Sequence, residues 1–132
     1  MHQPPIRKEC PPGACTCARE QLADAPAHAL RILLLTKEEE KKLVARIEGL
    51  RSLAELRHLA ARMHEQLGIV LRVAPGSSEV RTVRGISITL DEQPGLCRKT
   101  RQAVPAAVRR CLERNPEIVY AILNEQGLLR DA

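Results

Sequence analysis

Aromatic residues are almost missing from this chain: its 132 residues include no Trp and no Phe, and Tyr120 is the single ring. A core must therefore be assembled from Leu, Ile, Val and Ala, each of which buries less area than an aromatic side chain. The same shortage removes the platforms on which single-strand and RNA readers usually stack bases. Long apolar stretches are missing too. Runs such as Ile32–Leu35, closed off by Arg31 and Thr36, fall far short of the ~18 residues of a membrane helix. The opening "MHQPPIRKEC" has prolines and charge but no apolar centre of a secretory signal. The expected setting is thus a reducing cytoplasm, with no membrane partner.

Catalytic signatures are also lacking. No Walker loop, G-x-G-x-x-G or G-x-S-x-G occurs. "HEQLG" starts like a zinc-protease helix, but Gly68 stands where the second histidine is needed. Ala103 occupies the arginine position of a Cys-x5-Arg phosphate loop counted from Cys97. His58 and His64 are six residues apart on a predicted helix and project in different directions, so they cannot share one ion. The chain reads as a non-enzymatic protein.

What is present is one domain's length of chain, 44% apolar and hence able to bury a core. Residues 1–30 carry five prolines and no sustained period, and are expected to form a Cys/Pro-rich arm that needs a metal, packing or a partner to be ordered. A compact α+β domain is expected over residues 31–132, with "RILLL" as a short buried strand or lead-in. Thr36 with Glu39, and Ser52 with Glu55, are capping boxes that open two amphipathic helices, the second stopped by Gly68. Their short connection suggests a helical hairpin. "IVLRV" and "EVRTVRGISITL" then alternate with the period of strands. Val80, Ile86, Ile88 and Leu90 share one parity, and Gly85 marks a bulge. The pattern predicts two or three antiparallel strands. Two further helices follow, one with Pro105 near its start and one capped by Asn115, started by Pro116 and ended by Gly127.

Three of the five cysteines crowd into "ECPPGACTCARE". In a reducing compartment a tight cluster points to metal or redox chemistry before a structural disulfide. Cys10, Cys15 and Cys17 form C-x4-C-x-C, and a Pro-Pro-Gly turn can bring such thiols together at low entropic cost. Zinc would take three thiolates and a fourth ligand, from Cys97, His2 or His28. An iron–sulfur cluster would take four thiolates, with Cys97 as the fourth. A thiol/disulfide pair and an inert tail stay open as alternatives. Cys97 follows Pro94-Gly95 and precedes Arg98, Lys99 and Arg101, cations that favour a thiolate. Cys111 falls on the apolar stripe of its helix and reads as a small buried hydrophobe.

The net charge of +5 is concentrated in one place, because residues 93–114 alone sum to +5. Arg98, Lys99, Arg101, Arg109, Arg110 and Arg114, joined by Arg81 and Arg84, are expected to form a basic face. Clustered cations bind phosphate backbones by releasing counterions, and the lack of rings favours duplex over single-stranded nucleic acid. An acidic protein would satisfy the same charges, and the aliphatic core leaves room for a homodimer. The sequence thus predicts a small nucleic-acid-associated or regulatory binding protein with a cysteine metal site. An iron–sulfur or thiol redox protein is the alternative, and a plain interaction module with an inert tail the second.

Overall fold

The computed structural model describes residues 6–8, 10, 17–76 and 83–125. Each capped helix forms where its box predicts. Thr36 Oγ1 accepts from the Glu39 N–H at 3.2 Å and opens α1, Lys37–Glu48. Ser52 Oγ accepts from the Glu55 N–H at 3.1 Å and opens α2, Leu53–Leu67. Gly68 ends α2 at φ 75°, a left-handed conformation that suits a residue without a side chain. The two helices do not make the intimate hairpin expected of them: α1 packs chiefly against the later helix α3. α2 leans instead on a 3-10 helix, Ala27–Leu34, which takes the place of the "RILLL" strand. An apolar run that short has no period to separate strand from helix. It is fastened to the end of α2 by Arg31, which donates to the carbonyls of His28 and Glu65.

A two-stranded antiparallel sheet follows, the only one among the described residues. In it β1, Leu71–Pro75, pairs with β2, Ile86–Leu90, in the register Val73 opposite Ile88. Burial along β2 alternates as the sequence parity requires, with Ile86, Ile88 and Leu90 inside and Ser87 and Thr89 outside. The strand is shorter than "EVRTVRGISITL". A 3-10 turn, Val83–Gly85, precedes it, and Val80 lies outside the described residues. Gly85 is not a bulge but the end of that turn, its carbonyl accepting from the Gly76 N–H at 2.7 Å. The hairpin's open end is braced by Arg72, which donates to both oxygens of Asp91 at 2.7 and 2.8 Å and holds that carboxyl below its ordinary range.

Helix α3, Arg98–Arg114, is the spine of the molecule, lying against α1, β2 and the last helix α4, Pro116–Glu125. Pro105 is in its interior, not near its start. A proline there removes the N–H that the Arg101 carbonyl would accept and costs an isolated helix ~3 kcal/mol. Burial of Val104, Ala107 and Val108 around it holds the helix together. Asn115 joins α3 to α4. Its carbonyl accepts from Ile118, and its side-chain amide donates to the carbonyls of Cys111 at 2.9 Å and Leu50 at 3.1 Å. Gly127 lies outside the described residues. The core is aliphatic as predicted, with Ile32, Ile47, Leu56, Ile69, Leu112 and Ile122 among its fully buried members, whereas Tyr120 is 57% exposed.

The arm enters this core. Leu22, in a 3-10 turn Arg19–Leu22, is buried at the Pro94-Gly95 turn. A Cβ on Gly95 would stand 2.7 Å from both Leu22 Cδ1 and Ile32 Cγ2, on a backbone at φ 88°. Gly95→Ala is expected to destabilise the fold by about 2 kcal/mol or more, from left-handed strain and overpacking together. Urea unfolding measures this, and an unchanged midpoint would contradict the close approach.

Candidate metal centre

Cys97 occupies the N-cap position of α3 in extended conformation, with its carbonyl accepting from the Arg101 N–H at 3.0 Å. Its thiol makes no cap hydrogen bond and meets the Cys10 thiol instead. Cys17 is brought alongside by the arm. Its carbonyl accepts from the Gly95 N–H at 2.6 Å, two residues before Cys97. Ala18 then turns left-handed at φ 54°, the one described non-glycine residue to do so, at a cost of ~1 kcal/mol. That turn sends the chain into the Leu22 anchor. Upstream, the Arg7 N–H donates to the Leu33 carbonyl at 2.7 Å, and Arg19 Nη1 donates to the Arg7 carbonyl at 2.7 Å. These bonds hold the segment that leads to Cys10.

The result is a cluster of three thiols. The Sγ atoms of Cys10, Cys17 and Cys97 all lie within 4.8 Å of one another, close enough to hold a metal ion. Cys10 and Cys97, 87 residues apart in sequence, bring their sulfurs to 3.6 Å. Cys17 is buried and the other two are half-buried. Cys15, the remaining member of the predicted set, lies outside the described residues. His28 has no place in the cluster, and His58 and His64 are exposed on α2. The N-terminus of α3, with Arg98 and Lys99 in its first turn, adds positive charge where thiolates would gather. Beside the cluster a cavity of about 380 Å3 opens, lined by Cys17, Gln21, Gln93 and Arg101.

The predicted basic set divides into exposed and partnered members. Arg81 lies outside the described residues, and Arg84 is exposed on the turn before β2. Arg98, Lys99 and Arg114 are exposed on α3. The other three have duties inside the molecule. Arg101 pairs with Glu92 at 2.7 Å, Arg110 pairs with Glu48 at 3.2 Å, and Arg109 donates to the Val83 carbonyl at 3.4 Å. The cations beside the thiols are therefore Arg98 and Lys99, not the pair Arg109 and Arg110.

Sequence reasoning missed the residues that position the site: Ala18, Leu22, Gly95 and the arginines of the arm. Only Pro94-Gly95, a turn dipeptide, carried a local signal. Cys111 is the fully buried hydrophobe expected of it, and its S–H donates to the Leu50 carbonyl at 3.4 Å. Burial pushes this thiol up from its ordinary 9.0, against the opposing hydrogen bond from Asn115. Its contribution to stability is full below about 9 and is lost as pH rises through the higher folded value. Iodoacetamide at pH 8 is expected to leave Cys111 of the folded chain unmodified in a peptide map, and alkylation there without unfolding would contradict its burial. Comparison with family models, curated proteins and solved structures finds no match.

Proposed function

We propose that this chain is a small non-enzymatic binding protein built on a single zinc ion, held by Cys10, Cys17 and Cys97 with Cys15 as the fourth ligand. The ion fastens the arm to the start of α3, where Arg98 and Lys99 meet the phosphates of duplex nucleic acid. The convergence of three sulfurs supports this reading most strongly. With Zn–S bonds near 2.3 Å, a tetrahedral site sets its sulfurs ~3.8 Å apart. The 3.6 Å separation of Cys10 and Cys97, and the 4.8 Å limit on all three pairs, match a single ion. A cluster spreads its terminal thiolates over several irons and needs them wider apart.

Charge supports the same reading. Four thiolates on a divalent ion carry a net negative charge, which the N-terminus of α3, Arg98 and Lys99 offset. Arg7 adds a further cation to the arm. All three of its guanidinium nitrogens are enclosed by protein without a hydrogen-bond partner among the described residues, an arrangement that a negative centre in the same arm would make less costly.

Elemental analysis of anaerobically purified protein is expected to find one zinc per chain. Cys17→Ser and Cys97→Ser should each lose most of it, and Cys111→Ala should keep it. Iron with acid-labile sulfide and visible absorption would overturn the zinc assignment in favour of electron transfer, and a metal-free parent chain would overturn both. For the basic patch, the double variant Arg98→Glu, Lys99→Glu is expected to weaken duplex DNA binding and to make its log–log salt dependence shallower by about 2. The phosphate contact is wrong if the variant binds like its parent, or if the parent does not bind at low salt.

A further inference from the structure

Among the described residues, the helix pair α1 and α2 leaves an apolar-floored hollow uncovered, because each helix gives its main packing to another element. The hollow has a volume of about 130 Å3 and a floor of Leu43, Leu59, Met63 and Leu67. Its rim is mostly positive, with Lys42, Arg46 and Arg62 set against the single acid Glu39. A cavity of ~150 Å3 lined by aliphatic side chains holds one benzene ring, so the space suits a single aromatic anchor. Met63 adds the adaptability of an unbranched thioether to the floor.

Helix α4 offers the matching surface. Tyr120, the one ring in the chain, stands 57% exposed there although the core has no aromatic of its own. Glu117 and Asn124 are exposed beside it, and no Lys or Arg occurs in α4. Tyrosine is enriched at the centres of protein interfaces, where the ring is buried and the hydroxyl reaches a polar rim. A molecule cannot fill its own hollow in this way. Its α4 is tied to α2 through the Arg57–Glu125 ion pair, and Arg57 lies ~140° around α2 from the hollow's Arg62.

We propose that the α1–α2 hollow is a self-association surface that receives Tyr120 from α4 of a second copy of this chain, with Glu117 facing the basic rim. A two-fold axis makes the contact twice and closes the pair as a dimer. The inference is independent of the metal centre.

Sedimentation equilibrium of the full chain, run from micromolar to millimolar concentration, tests it. The parent is expected to form dimers. Tyr120→Ala should raise the dimer dissociation constant at least tenfold, about 1.4 kcal/mol, with an unfolding midpoint unchanged at concentrations where both proteins are monomeric, because the ring is exposed in the monomer. Glu117→Lys and the double variant Arg46→Glu, Arg62→Glu should each associate poorly alone. Mixed together they should pair better than either does with itself, because one of the two contacts is then charge-complementary in reverse and the other is native. A monomer throughout the range overturns the proposal, as does a dimer indifferent to Tyr120→Ala and to both charge variants.

Discussion

The molecule depends on the contact between the arm and the Pro94-Gly95 turn. The Gly95 N–H meets the Cys17 carbonyl, and the missing side chain of Gly95 is what lets Leu22 and Ile32 close over the turn. Two residues later α3 begins with Cys97 as its cap. One turn therefore sets the depth of the arm, the start of the longest helix and the distance between thiols from opposite parts of the chain. Apolar burial fixes the backbone here, and the sulfurs inherit their positions from it. This order of cause would matter for the affinity of any metal held there, because ligands held by packing lose less conformational entropy on binding than ligands on a loose segment.

The parts legible in the sequence are those whose signals are local. Thr36 and Ser52 announce their helices because the acceptor and the N–H it caps are three residues apart. The alternation Ile86, Ile88, Leu90 announces a half-buried strand for the same kind of reason. Pro105 misled because its local preference for a helix start was outweighed by the burial of Val104, Ala107 and Val108 on one continuous stripe. "RILLL" misled because Ile32 and Leu35 are buried equally well by a 3-10 helix or a strand.

The site was half legible. Crowded cysteines near residue 10 and a cation-flanked thiol at 97 both suggest ligation. Their meeting depends on the tertiary route of the arm, encoded in nothing more visible than Ala18, Leu22 and Gly95. The basic segment was legible as charge but not as contacts. Six cations in one stretch look like a face, yet Glu48, Glu92 and the Val83 carbonyl come from distant parts of the chain to hold three of them. A sequence shows where charges are, but only the fold shows which are already answered.

The 87-residue separation of Cys10 and Cys97 has a consequence for biosynthesis. Residues are added at ~5–20 per second, so the first sulfur is made about 4–17 s before the last one. Through that interval the nascent arm has no α3 to dock against, and its thiols meet the oxidants and metals of their surroundings without Cys97 beside them. The state in which these thiols are most open to their surroundings is thus the unfinished chain, and completing the polypeptide closes that window.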